Sequence, residues 1–179
     1  MAAIGGSRRN LELKARDPDT AKSLEICQEL GAESKGTLIQ RDTYFEVPRG
    51  RLKLREEPGA VSCLIAYERP DHFGYKESRY RLIEVPEPAA MLDALAAVLD
   101  ISIVVRKTRQ LFILKGVRIH LDQVEGLGDF IEFEGVAADG DDPSLFAGLL
   151  NDLRRCFGIM DGDLVPVSYS DLLRSDSRA

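Results

Sequence analysis

Residues 103–136 read IVVRKTRQLFILKGVRIHLDQVEGLGDFIEFEGV, and this stretch decides the fold. Apolar and charged residues alternate along three runs, and alternation with a period of two is typical of β-strands. The runs are Ile103–Leu114, Val117–Val124 and Asp129–Val136. Lys115-Gly116 fits a hairpin turn between the first two runs, and Gly126-Leu127-Gly128 joins the last two. The stretch therefore predicts three consecutive strands, each with one apolar and one charged face.

The same alternation recurs in the rest of the chain and predicts five more strands. They are Arg9–Ala15, Gln40–Glu46, Arg51–Glu56, Cys63–Arg69 and Ser78–Val85. Helical spacing and end signals predict three helices, and a further short turn is expected in the tail sequence SYSDLL. The helices run from the cap Asp17-Pro18 to Gly31, over Pro88–Leu99, and from the cap Asp142-Pro143 to Gly158.

Composition places the chain among folded proteins of one domain. It has 179 residues, of which 44% are apolar and 30% charged. We expect one domain over residues 1–179, with a core over 8–174 and frayed ends at Met1–Ser7 and Ser175–Ala179. There is no long apolar run for a membrane span and no signal-peptide pattern at the start, so a cytoplasmic location is expected. Three scattered cysteines predict reduced thiols rather than disulfides or a zinc site.

The charged strand faces are rich in cations, although the formal net charge of the chain is −6. The cations are Lys14, Arg51, Lys53, Arg55, Arg69, Arg79, Arg81, Lys107, Arg109 and Arg118. The acids on these faces are Glu12, Asp122, Glu132 and Glu134. Arginine outnumbers lysine among the cations and suits bidentate contacts to phosphate or carboxylate. Three of the acids fall on the last two strands, and such oxygen ligands suit Mg²⁺ or Mn²⁺.

Two arrangements of these faces are possible. One is an open sheet with a solvated face of salt bridges. The other is a barrel around a wet, charged lumen, because many unpaired cations cannot lie in a dry core. A barrel of about eight strands can hold one small ligand. In the barrel, helices would cover the outer apolar faces, and a lumen of many cations with a few carboxylates would suit a triphosphate with a divalent metal.

Several blocks of the sequence resemble the CYTH, or triphosphate tunnel metalloenzyme, family, from about Asn10 to Leu173. The blocks are NLELK, RLKLR, VRKTR, HLDQVEGLGDFIEFE and SYSDLL, in that order. The resemblance implies an α+β fold in which a mostly antiparallel, closed eight-stranded β-barrel forms a tunnel with about three helices outside. The family includes class IV adenylate cyclases, thiamine triphosphatases and inorganic triphosphatases.

The resemblance also implies roles for the residues that match the family motifs. Metal, Mg²⁺ or Mn²⁺, would be held by Glu12, Glu132 and Glu134, with Asp122 nearby. The triphosphate would be bound by Lys53, Arg55, Lys107, Arg109 and Arg118, with Arg69 and Arg79 lining the tunnel. Lys14 and Lys107 are the candidates for a catalytic role. Asn10 stands where the family motif begins with Glu, and it offers an amide oxygen without charge.

Three functions are compatible with this pattern. The terminal blocks look most like class IV adenylate cyclases, in which the ribose 3′-hydroxyl of ATP attacks the α-phosphorus and pyrophosphate leaves. Hydrolysis of thiamine triphosphate, a nucleotide or tripolyphosphate would use nearly the same residues. A non-catalytic polyphosphate-binding module is the third function. The negative net charge and the few aromatic residues among the cations disfavour nucleic acid as a partner. No membrane partner is expected. The sequence is compatible with a monomer and with a homodimer.

Overall fold

The computed structural model describes residues 8–71, 74–138 and 141–176, and in these residues eight strands form a closed barrel. The strands are β1 (Arg8–Arg16), β2 (Glu33–Phe45), β3 (Arg51–Glu56), β4 (Ser62–Glu68), β5 (Lys76–Val85), β6 (Ile101–Leu114), β7 (Val117–Val124) and β8 (Gly128–Val136). Around the barrel the order is β1-β5-β4-β3-β2-β6-β7-β8, and every neighbouring pair is antiparallel. The α+β closed barrel is therefore confirmed, and the open sheet is excluded.

Four α-helices lie within the described residues, one more than the three predicted. They are α1 (Thr20–Glu29), α2 (Pro88–Ala96), α3 (Ala147–Cys156) and α4 (Tyr169–Asp176). The additional helix is α4, which replaces the short turn expected in SYSDLL and includes Ser175 and Asp176, both expected to be frayed. The expectations for Met1–Ser7 and for residues 177–179 lie outside the described residues.

Several predicted boundaries differ from the structure, and two of them have clear local reasons. Helix α1 is capped by Asp19, whose carboxylate accepts from the Lys22 backbone N–H at 3.1 Å. Asp17, the predicted cap, instead accepts from the Ser23 hydroxyl at 3.0 Å. Strand β2 begins seven residues earlier than expected, because the register with β6 shifts between Ser34 and Thr37 and breaks the alternation there.

Apolar residues on the outer faces of the strands form the core with the helices. One cluster joins Leu13, Ile119 and Phe133 of three neighbouring strands to Leu150 and Leu153 of α3. A second cluster joins Phe45, Leu54 and Val85 to the inner side of α2. These two clusters therefore lie outside the barrel, and the lumen is left to the other strand face. The three cysteines, all within the described residues, carry free thiols.

One end of the barrel is covered by the segment that leads into α4. Leu164 forms a bridge with Ala15, and the Val165 N–H donates to the Lys14 carbonyl at 2.9 Å. The ammonium of Lys76, which is fully buried, donates to the carbonyls of Val165 and Pro166 at 2.9 and 3.0 Å. Contacts to β1 and β5 thus fix this segment across the strand ends. Of the helices in the described parts of the chain, none combines the length and apolar character needed to cross a membrane.

Candidate active site

A cavity of about 450 Å³ occupies the lumen of the barrel, and most of its charged lining is basic. Among the described residues, the basic side chains that line it are Arg8, Lys14, Lys35, Lys53, Arg55, Arg69, Lys107, Arg109 and Arg118. The acidic side chains are Glu12, Glu132 and Glu134. The excess of cations in a partly enclosed space attracts anions.

Strand β5 faces the opposite way from the prediction. Its lumen-facing residues include Ser78 and Tyr80, so Arg79 lies on the outer surface. The Arg79 side chain is 65% exposed and its Nε lies 3.1 Å from a carboxylate oxygen of Glu77, which also binds Arg9 at 2.8 Å. Placing Arg79 in the tunnel lining was therefore wrong. Both faces of β5 are polar, so alternation alone did not fix which face the barrel turns inward.

Asp42 of β2 binds three of the lumen cations, and sequence analysis missed it. Its carboxylate accepts from Lys53 Nζ at 2.8 Å and from two nitrogens of Arg55 at 2.7 Å each. The ammonium of Lys107 lies 3.8 Å away. Burial would raise the pKa of Asp42, but Arg55, Lys53 and Lys107 hold it well below its usual range. The buried carboxylate is therefore ionised and fixes these three cations in place.

Asp122 of β7 has a similar arrangement with Arg109. Two nitrogens of Arg109 donate to its oxygens at 2.6 and 2.5 Å, and the Tyr169 hydroxyl donates at 2.9 Å. The side chain of Asp122 is fully buried and does not contribute to the cavity lining. Burial would raise its pKa, but Arg109 and Lys107 lower it. Asp122 therefore fixes the position of Arg109. To bind a metal, Asp122 would first have to lose its hydrogen bonds to Arg109 and Tyr169.

The three lumen glutamates lie on neighbouring strands at matching register. Glu12 of β1 is directly opposite Glu134 of β8, and Lys14 is opposite Glu132. Burial and then the charge of Glu132 raise the pKa of Glu12. Burial would also raise the pKa of Glu132, but Lys14 and His120 hold it well below its usual range. The strand register thus brings together the carboxylates assigned to metal from the family resemblance.

Each of these glutamates also contacts an arginine. Arg69 donates to Glu12; Glu132 lies 3.2 Å from Arg109, and Glu134 lies 3.2 Å from Arg118. As placed, no three His, Cys, Asp or Glu side chains of residues 8–71, 74–138 and 141–176 are arranged to hold an ion.

The donor types nevertheless fit a hard divalent cation. The amide nitrogen of Asn10 donates to Glu134, which leaves Asn10 Oδ1 buried without a partner among the described residues. A free amide oxygen beside carboxylates is a further oxygen ligand of the kind that Mg²⁺ and Mn²⁺ bind.

Burial lowers the pKa of two lysines in the lumen. Burial lowers the pKa of Lys14, whose ammonium lies 4.0 Å from the centre of the Tyr169 ring. Burial, followed by the charge of Arg109, holds the pKa of Lys107 well below its usual range. Both line the cavity, as predicted. A lysine that loses its proton more readily can act as a general base.

The sequence carried a signal for three of the missed residues but not for Tyr169. Gln40, Asp42 and Tyr44 alternate along a predicted strand, so their shared face could have been assigned. Tyr169 meets the lumen residues only through the fold of the C-terminal segment, and no local pattern indicates its contacts.

The closed barrel with a basic lumen defines a tunnel-type β-barrel protein. The CYTH domain model matches residues 8–169, and the chain therefore belongs to the CYTH family. A relative named "Putative adenylate cyclase MJ0240", from Methanocaldococcus jannaschii, is 23% identical over 171 residues, covering 90% of this chain and 97% of the relative.

Two solved structures illustrate the shared fold. The PH1012 protein of Pyrococcus horikoshii OT3 is 26% identical, with a TM-score of 0.79 over 91% of this chain and 98% of that one. The "Putative adenylyl cyclase HpAC1" from Hippeastrum, described as having a dominant triphosphatase activity, is 17% identical, with a TM-score of 0.66 over 93% of this chain and 96% of that one.

Proposed function

We propose that this chain is a divalent-metal-dependent enzyme that converts ATP to cyclic AMP and pyrophosphate inside the barrel. The observation that carries the proposal is the pair of buried carboxylates, Asp42 and Asp122, that hold Arg55 and Arg109 by two bonds each beside the cavity. Guanidinium groups fixed in this way are suited to a chain of phosphates, because phosphoryl transfer depends mainly on positioning and charge stabilisation.

In the proposed reaction the ribose 3′-oxygen forms a bond to the α-phosphorus. The bond between that phosphorus and the bridging oxygen of the β-phosphate breaks, and the 3′-hydroxyl releases its proton. Lys14 or Lys107 accepts the proton, since burial lowers the pKa of both side chains. Arg55 and Arg109 hold the leaving pyrophosphate. When bound by Glu12, Glu132 and Glu134, Mg²⁺ or Mn²⁺ would neutralise phosphate charge.

Hydrolysis of a triphosphate is the second candidate. It is favoured by HpAC1, which shares the fold and has a dominant triphosphatase activity. Here water attacks a phosphorus in place of the 3′-hydroxyl, and the arginines and lysines of the lumen keep the same tasks. The two candidates differ in products: cyclic AMP and pyrophosphate in one case, and inorganic phosphate in the other.

A product assay tests both candidates. The protein is offered ATP, thiamine triphosphate and tripolyphosphate with Mg²⁺ or Mn²⁺, and the products are identified by chromatography. Glu132→Gln and Glu134→Gln should abolish metal-dependent turnover, whereas Glu77→Gln, on the outer face, should retain it. Circular dichroism confirms that each variant is folded. Normal turnover in both lumen variants would refute the metal assignment, and binding without turnover would favour a polyphosphate-binding module.

A further inference from the structure

The lumen has two halves of different chemistry. The charged clusters around Asp42 and Asp122 lie towards the end covered by the C-terminal segment. Towards the opposite strand ends, five aliphatic residues line the cavity, and we call them the apolar half. They are Leu38, Ile65, Leu82, Leu111 and Ile113. The charged residues Arg8, Lys35, Arg118 and Glu134 also line the cavity at this end, and Arg118 is the register partner of Ile113.

The apolar half consists of two walls. Ile65 of β4 and Leu82 of β5 are register partners and form one wall. Leu38 of β2, with Leu111 and Ile113 of β6, forms the other. All five are half-buried, and none belongs to the hydrophobic clusters that the described residues form. Apolar side chains that line a cavity without packing into a core are typical of a binding site for an organic ligand.

Gln40 adds an unpaired acceptor beside one wall. It lines the cavity two residues after Leu38, and it is 4% exposed. Its amide nitrogen donates to Glu57 at 2.7 Å, and this bond fixes which way the amide points. The other amide atom, Oε1, is buried and has no hydrogen-bond partner among the described residues. A buried acceptor without a partner is unfavourable, and a ligand with an N–H or O–H group would satisfy it.

We propose that the apolar half and Gln40 bind the organic group of the substrate, a planar ring with apolar faces and a donor that Gln40 accepts from. The inference rests on the proposed function and deepens it, because it selects an organic triphosphate over inorganic tripolyphosphate. A cavity of about 450 Å³ lies in the range of about 300–1,000 Å³ that holds small organic ligands. The ring lies between the walls, and the phosphates point towards Arg55 and Arg109.

The test measures how the two parts of the ligand contribute to binding. Calorimetry with EDTA present, so that metal-dependent turnover is prevented, gives the affinities for ATP, thiamine triphosphate and tripolyphosphate. Leu38→Ser and Leu82→Ser alter the lumen. Their matched controls, Ile39→Ser and Ile83→Ser, alter the next residue of the same strand, which points outward and is exposed. Gln40→Leu removes the acceptor, and thermal unfolding verifies that each variant is folded.

In the lumen variants, the affinity for at least one of the two organic triphosphates should fall about tenfold, from lost apolar contact. The affinity for tripolyphosphate should stay unchanged, and so should all affinities in the controls. Gln40→Leu should weaken only the organic ligands. A second outcome is that tripolyphosphate binds and that the affinity for ATP or thiamine triphosphate, relative to that for tripolyphosphate, is the same in all variants. This outcome overturns the subsite and leaves the proposed function standing. If no triphosphate binds the unaltered protein in EDTA and none is turned over with Mg²⁺ or Mn²⁺, the proposed function and the subsite both fall.

Discussion

Replacing Asp42 by asparagine tests whether the buried carboxylate holds the lumen cations together. The change keeps the shape of the side chain and removes its charge. At an effective dielectric constant of about 20, each cation at 2.7–3.8 Å gains about 4–6 kcal/mol of Coulomb attraction. Most of this offsets the desolvation of the ions, and removing one partner of a buried ion pair costs about 3–5 kcal/mol. We expect the free energy of unfolding to fall by that amount at pH 7.

The pH dependence of this loss has a definite sign. The folded pKa of Asp42 is depressed below the unfolded value of about 3.9, so the charge stabilises the fold above that value. The contribution disappears as the pH falls through the folded pKa. The difference between the unaltered protein and Asp42→Asn should therefore be constant from pH 7 to about pH 5 and shrink below about pH 4.

Urea unfolding followed by circular dichroism measures this difference, since the chain has no tryptophan. Asp93→Asn, at an exposed position of α2, is the control and should change stability little. Tripolyphosphate should stabilise Asp42→Asn more than the unaltered protein, because it replaces the missing negative charge. A loss below about 1 kcal/mol, or a loss that is the same at pH 3 and pH 7, would refute the reasoning.

Three further changes have expected outcomes. Arg118→Ala should weaken tripolyphosphate binding about tenfold in calorimetry, because one charge-assisted hydrogen bond to the ligand is lost. Arg79→Ala should leave this affinity unchanged, because Arg79 lies on the outer surface. Equal effects of the two changes would contradict the corrected orientation of β5. Tyr169→Phe loses the bond to a buried carboxylate and should lower the free energy of unfolding by about 1.5–3 kcal/mol in urea titrations. In Gly135→Ala, a methyl group would overlap the Phe146 ring, so destabilisation of about 1–3 kcal/mol is expected; an unchanged melting temperature would contradict this packing.

Much of the barrel could be predicted because β1, β3, β7 and β8 each carry one clearly apolar and one clearly charged face. For such a strand, only one orientation buries the apolar face and leaves the charged face in contact with water. Strand β5 lacks this asymmetry. Glu77 and Arg79 alternate with Lys76 and Ser78, and both sets are polar. On the same side of β5 as Ser78, Lys76 donates to the Val165 carbonyl, and that contact spans 89 residues of sequence, which alternation cannot indicate.

The charges of the site could be predicted more completely than their pairing. Strand alternation placed Lys53, Arg55 and Lys107 on one surface, as the structure has them. The carboxylate that joins them, Asp42, lay on a predicted strand whose faces were left unassigned. Tyr169 could not be found in the same way, because its contact with Asp122 depends on how the C-terminal segment crosses the end of the barrel.

The bidentate pairs formed by Arg55 and Arg109 have a consequence for the thermodynamics of binding. A long side chain that is free in solution loses about 0.5–1.5 kcal/mol of rotational freedom when a ligand immobilises it. Here the carboxylates of Asp42 and Asp122 impose that loss when the chain folds. An incoming anion then meets side chains that are already immobile, so its association has a smaller entropy penalty than a flexible basic surface of equal charge would impose.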